Sequence, residues 1–281
     1  MKTYKKILKR ILAIVCLAFA FQSCTDNAEA IDSSQPTAQD TLELARSAEV
    51  DAASASVEDI VIEVFQFDEA NPNGRVQPPN LPDCVTINVV AQQNFRTVTI
   101  DFGNEGCLVR GHVLKGQIEF TYTRNPEAQQ ILVTYDLVDF YFDNKNVLGN
   151  RTILRELENA NGNPQFTHTL DLTVIWPNGA EASRSGLKVR EWVEGAGSGV
   201  FSDNVFEVTG NWTTTFVNGN SHTYEVLIPL RREVVCTYFV SGTIDVQRTN
   251  FGGTFNYGDG DCDNQASFTF NNGTQILITL N

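Results

Sequence analysis

The sequence has few of the residues from which catalytic and metal sites are built. Its 281 residues include only three histidines, and no two of its six cysteines form a C-x-x-C pair. A G-x-S-x-G motif, an H-E-x-x-H motif, a P-loop and a dinucleotide-binding fingerprint are all missing. Zinc sites and the common hydrolase and nucleotide sites depend on such motifs. We therefore expect no metal, no cofactor and no enzymatic activity.

Positive charge is also scarce. The chain has 20 basic and 34 acidic residues, for a net charge of −14. Five of the basic residues and none of the acidic ones lie in residues 1–23, so the rest of the chain has 15 basic residues and a net charge of −19. A surface this acidic repels nucleic acid and anionic lipid head groups. We therefore expect no nucleic-acid partner, and we expect any attachment to a membrane to depend on a lipid.

The N-terminus combines basic residues with a short apolar run. The basic residues of segment 2–10 precede the apolar segment 11–21, and Ser23 and Cys24 follow shortly afterwards. This order is typical of an export signal, and the run is too short to span a bilayer. A small residue before a cysteine at this point resembles a bacterial lipobox, which implies cleavage before Cys24 and lipid on that cysteine. The expected location is the outer membrane of the cell envelope, with ordinary cleavage nearby and an uncleaved anchor as alternatives.

Four cysteines remain once the signal segment is removed and Cys24 is acylated. An even number of cysteines in an exported chain favours disulfides. Each sequential pair flanks a predicted hairpin turn at nearly equal distances, so each pair would lie at the open end of its own hairpin. We therefore predict bridges between Cys84 and Cys107 and between Cys236 and Cys262, and two other connectivities remain open.

Residues 84–281 form a succession of alternating segments rich in Val, Ile, Thr, Phe and Tyr, separated by Asn, Gly, Asp and Pro. Short strands at such close spacing predict an all-β domain of about twelve strands. Because the connections permit only hairpins, the sheet should be an antiparallel meander. The expected architecture is a sandwich or an open barrel.

The segment before the β domain has a different pattern. Residues 24–40 are small, polar and acidic, which predicts a flexible tether. Apolar residues recur at helical spacing over 41–70, which predicts a short N-terminal helix and linker. Asp40-Thr41-Leu42 resembles an acceptor motif for periplasmic O-glycosylation, which implies modification of Thr41.

One hairpin of the β domain suggests a ligand site. A two-residue turn at Asn178-Gly179 would pair His168 with Val189 and Leu170 with Leu187, and so would give one buried apolar face. The opposite, solvated face of strand 181–193 would then bear three cations and an indole. These residues are Arg184, Lys188, Arg190 and Trp192. Such a group on an acidic protein fits an anionic or sugar ligand, and a simple solvated face is the alternative.

Two loops near the ends of the β domain end alike, as VTIDFGNEGC at 98–107 and GTFNYGDGDC at 253–262. Alternating aspartates in the second loop raise the alternative of a calcium site. An EF-type loop would need Gly and Glu where the chain has Asn264 and Phe270. We therefore interpret both loops as the ends of disulfide-closed hairpins.

The motifs occur together in a characteristic order. They are the lipobox, the C-x22-C spacing that closes on TIDFG-x3-C, REW at 190–192, VSGTI at 240–244 and the terminal YGDG-x-C-DN at 257–264. This combination resembles an uncharacterised family of predicted Bacteroidetes lipoproteins. The resemblance covers most of 84–281 and implies neither an activity nor functional residues.

Taken with the composition, these motifs predict a lipid-anchored outer-membrane lipoprotein with a non-catalytic structural or binding role. A glycan or another envelope protein would be its partner. The alternatives are a glycan- or anion-binding module, a glycosidase-like enzyme and a lipid carrier.

Overall fold

The structure, a computed structural model, describes residues 37–71, 78, 80–248 and 251–280. Within these residues one α-helix, α1 (Ala38–Ala70), precedes an antiparallel sheet of 15 strands. A short 3-10 helix, Phe201–Asp203, connects the ninth strand to the tenth. The strands are β1 (Thr86–Gln92), β2 (Phe95–Asp101), β3 (Cys107–Val109), β4 (His112–Thr123), β5 (Gln130–Phe142), β6 (Lys145–Leu148), β7 (Asn150–Glu156), β8 (Gln165–Ile175), β9 (Glu181–Glu194), β10 (Val205–Phe216), β11 (Ser221–Glu233), β12 (Ser241–Arg248), β13 (Phe251–Asp259), β14 (Gln265–Phe270) and β15 (Gln275–Thr279).

The bounds of α1 follow from its caps. Thr37 accepts a hydrogen bond from the amide of Asp40 at 3.1 Å, and its own amide donates to the Asp40 carboxylate at 2.9 Å. This reciprocal capping box starts the helix at Ala38, ahead of the predicted start at Thr41. The amide of Asn71 donates to the Phe67 carbonyl at 3.0 Å and ends the last turn.

The helix is enclosed by the rest of the domain. Every residue from Val50 to Phe65 is buried, including those with carboxylate side chains. A helix that is buried on all sides lies in the interior and not on the surface. Side chains of strands from β2 to β13 contact it, which shows that the sheet curves around α1.

The sheet has the predicted all-β, antiparallel and meandering topology, because each strand pairs with a neighbour in sequence. It has 15 strands instead of about twelve. The higher count comes from the short strand β3 and from the division of residues 145–156 into β6 and β7, and residues 265–279 form the two strands β14 and β15. The division occurs at Gly149, where a Cβ atom would lie 2.1 Å from a backbone oxygen of β8.

The register between β8 and β9 differs by one residue from the predicted one. His168 pairs with Lys188 and Leu170 with Gly186. The amide of Trp176 donates to the Ala180 carbonyl at 2.9 Å, so the loop has three residues, 177–179, instead of two. Gly179 has a φ of 78°, which suits a loop of this length. The shift turns the cations of β9 toward the interior.

Both predicted disulfide pairings are confirmed. Cys84 is bonded to Cys107 with a Cα separation of 5.7 Å, and Cys236 is bonded to Cys262 with a Cα separation of 5.5 Å. The first bridge ties the segment before β1 to β3, and the second joins the chain segments that flank the hairpin of β12 and β13. The two similar loops, 98–107 and 253–262, therefore lie at the ends of two hairpins that disulfides close.

Candidate functional site

The cations of β9 do not form a solvated ligand face. Arg184, Lys188 and Arg190 are each about 1% exposed. All three lie against α1, and the prediction that they form an exposed binding surface is wrong. The physical reason is the register shift, which places them opposite acidic residues of the helix.

Each of these cations is paired with a carboxylate of α1. Arg184 bonds to Asp51, and Lys188 approaches Asp51 at 3.7 Å. Arg190 bonds to Asp59 at 2.5 Å. Separating the members of a buried pair would leave uncompensated charges in the interior, so these pairs fix the position of the helix against β9.

Trp192 is placed differently, near the end of β9. Its side chain is half-buried and stacks on Phe206 with ring centroids 5.7 Å apart. It also lines a cavity at the C-terminal end of α1. Of the four residues predicted for a ligand face, Trp192 is therefore the one that borders space for a ligand.

The cavity has a volume of about 580 Å³. It lies between the last turns of α1, the ends of β7 and β8, Trp192 of β9 and the glycine-rich segment before the 3-10 helix. Aromatic, proline and aliphatic side chains form most of its wall. These residues are Phe65, Phe67, Ala70, Pro78, Pro126, Leu157, Pro164, Phe166, Trp192, Val200 and Phe201.

Polar side chains at the cavity are paired with one another. Glu63 bonds to Arg110, and Glu69 lies 3.8 Å from both Arg124 and Arg155. Burial raises the pKa of Glu63 and of Glu69 above the ordinary value, although the nearby arginines act in the opposite direction. Desolvation lowers the pKa of Arg155. The arginines therefore offset part of the cost of burying these two carboxylates.

Several buried polar atoms of the lining residues lack a hydrogen-bond partner among the described residues. Among them are both carboxylate oxygens of Glu69, the side-chain oxygen of Asn204 and the indole nitrogen of Trp192. Polar atoms in protein interiors are usually hydrogen-bonded. Their presence beside one cavity indicates a place where a ligand or water completes the bonding.

The structure gives no geometry for a metal centre. Across the described ranges, no three or more His, Cys, Asp or Glu side chains are grouped so as to hold a metal ion. The alternating residues Asp259, Asp261 and Asp263 lie in an exposed turn, where Asp263 accepts a hydrogen bond from the Gln265 amide at 2.9 Å. This contact is ordinary turn chemistry.

Of the two predicted modification sites, Cys24 and Thr41, the structure describes only Thr41. Cys24, the predicted signal segment and residues 24–36 of the predicted tether lie outside the described residues. Thr41 is exposed in the first turn of α1, and its hydroxyl donates to the Thr37 carbonyl at 3.4 Å. In the described part of the chain, no helix is both long and apolar enough to cross a membrane.

Comparisons of the chain with protein-family models, with curated proteins and with solved structures find no match. The site must therefore be interpreted from its own chemistry. Sequence reasoning identified only Trp192 among the residues that line the cavity. The others come from distant parts of the chain, which the sequence pattern could not bring together.

Proposed function

We propose that the chain is a lipid-anchored, non-catalytic protein of the bacterial cell envelope whose β domain binds a small ligand in the cavity beside Trp192. The observation that favours a binding role is the cavity of about 580 Å³ at the end of α1. Small-molecule sites usually have volumes of about 300–1,000 Å³ and apolar walls with a few polar groups. The predicted export signal, the cysteine that follows it and two disulfides support the envelope location.

The arrangement of charges favours binding over catalysis. The carboxylates next to the cavity, Glu63 and Glu69, both have arginine neighbours within ion-pair distance. A general acid or base needs a carboxyl group that is free to exchange a proton with the substrate. Arginines that hold both carboxylates in place serve a rigid binding wall better than proton transfer.

The anchor is tested with a Cys24→Ser variant. We expect the wild-type chain to fractionate with membranes and to have the mass of an acylated N-terminal cysteine, and we expect the variant to lose both properties. Mass spectrometry and membrane fractionation give the two measurements. An unchanged fractionation together with an unchanged mass for the variant would refute the lipid anchor.

The cavity is tested with the neutral fluorophore N-phenyl-1-naphthylamine. Ala70, at the end of α1, lines the cavity and is exposed, so an Ala70→Trp substitution should fill the cavity without disturbing the core. We expect saturable binding to the wild type and at least tenfold weaker binding to this variant. Ala91→Trp, at an exposed alanine of β1 outside the cavity, is the matched control. Equal affinities for all three proteins would contradict a binding role for the cavity.

A further inference from the structure

We infer that the ligand of the cavity is a neutral, largely apolar molecule that bears a hydroxyl group. This inference rests on the proposed function and adds the chemical class of the ligand. It combines three observations: an apolar wall, carboxylates within ion-pair distance of arginines, and buried polar atoms without a hydrogen bond.

The wall is suited to an apolar body. Five aromatic rings line the cavity, together with three prolines, and Phe201 is in turn covered by the Arg110 guanidinium at 5.2 Å. Burial of apolar ligand surface against such groups is favourable in proportion to the area removed from water. The glycine-rich segment adds little side-chain bulk, because Gly197 and Gly199 line the cavity without side chains.

The charges at the cavity disfavour an ionic ligand. Glu63 is bonded to Arg110, and Glu69 lies between Arg124 and Arg155. An anionic ligand would compete with these carboxylates for the same arginines. A cationic ligand would be repelled by the arginines, and either ion would also lose its hydration on entering an apolar cavity. A neutral molecule avoids both costs.

The buried polar atoms that lack a hydrogen bond indicate which polar group the ligand bears. Glu69 provides two acceptor oxygens and Asn204 a third, whereas the indole N–H of Trp192 is a donor. A hydroxyl group both donates and accepts hydrogen bonds, so one such group can serve atoms of both kinds. An ether or a hydrocarbon has no O–H group and could donate to none of these acceptors.

The test compares three molecules with the same chain: decan-1-ol, decanoate and decylammonium. Each displaces N-phenyl-1-naphthylamine from the full-length protein at pH 7. We expect the alcohol to displace half of the fluorophore at a concentration at least tenfold lower than either ion. Equal potency of the three molecules would overturn the inference and leave the proposed cavity function intact. No binding of the fluorophore at all would overturn the proposed function and the inference together.

A variant connects the preference to the residues. Glu69→Leu removes two of the acceptors, so the concentration of decan-1-ol that displaces half of the fluorophore should rise at least threefold relative to the wild type. Only the alcohol is compared, because the variant also frees Arg124 and Arg155 to attract decanoate. Glu119→Leu makes the same change at an exposed position of β4 and should leave this concentration unchanged. If Glu69→Leu leaves it unchanged as well, the assigned hydroxyl contact is wrong. If that variant does not fold, Asn204→Ala is measured in the same way, and an unchanged potency of decan-1-ol would again refute the assignment.

Discussion

Replacement of Asp59 by alanine should destabilise the fold strongly, because Asp59 joins α1 to two strands in the fully buried interior. One carboxylate oxygen accepts from Arg190 of β9 at 2.5 Å. The other accepts two hydrogen bonds from Arg232 of β11, at 2.6 and 3.0 Å. Asp59 has no exposed surface, and the two arginines are 1% and 3% exposed.

The magnitude follows from the charges. Burial alone would raise the pKa of Asp59, but the charges of Arg232 and Arg190 outweigh it and lower this pKa from 3.8 to about 2. This difference corresponds to about 2.5 kcal/mol in favour of the ionised form. Alanine also leaves two buried guanidinium groups without this partner, and removing one member of a buried ion pair costs about 3–5 kcal/mol. We therefore expect a loss of about 4 kcal/mol.

Urea unfolding followed by circular dichroism measures this loss by linear extrapolation. For a domain of this size the expected change corresponds to a fall in Tm of about 12 °C. The matched control is Asp171→Ala, at an exposed aspartate of β8, which should change the free energy of unfolding by less than about 0.5 kcal/mol. A loss below about 1 kcal/mol for Asp59→Ala would show that the buried ion pairs do not hold the helix.

Two further predictions concern pH and backbone geometry. Burial lowers the pKa of His168 to about 4, so the unfolded chain takes up a proton below pH 6.5 that the folded chain does not, and the free energy of unfolding should fall by about 3 kcal/mol between pH 6.5 and 4. His168→Leu should reduce this slope in urea titrations, and an identical slope would contradict the assignment. Gly116→Ala should cost much more stability than Gly162→Ala, because both glycines have a φ of 80° but only at Gly116 would a Cβ lie 2.1 Å from a backbone oxygen. Similar unfolding midpoints for the two variants would refute this difference.

The sequence predicted the class of fold and the disulfides for local reasons. Period-2 alternation and frequent turns determine antiparallel hairpins without reference to distant residues. The disulfide pairing followed from the same hairpins, because each cysteine pair flanks a single turn. These predictions needed only neighbouring residues. The start of α1 was misplaced although its signal is also local, because Thr37 and Asp40, three residues apart, form a reciprocal cap.

The ligand face was predicted wrongly because the register of β8 and β9 was chosen to keep charged residues off the buried face. That choice assumes an apolar interior. The interior of this domain contains an acidic helix, so cations on β9 are stabilised there. In the correct register Leu172 pairs with Arg184, and His168 pairs with Lys188. The apolar residues of β8 and the cations of β9 therefore share the inner face. The sequence of α1 contained a signal for this charged interior: its acidic and apolar residues are not separated onto opposite sides of the helix.

The ion pairs also explain why the cavity can have a fixed shape. Apolar contacts are not directional, so they alone would tolerate small shifts of a helix along its axis. Paired charges spaced along α1 do not tolerate such shifts. A shift by one residue moves each carboxylate about 1.5 Å along the axis and rotates it away from its partner. Asp51 is held by β9, Asp59 by β9 and β11, and Glu63 by Arg110 in the turn before β4. These pairs set the position of the last turn, and with it the wall that α1 presents to the cavity beside Trp192.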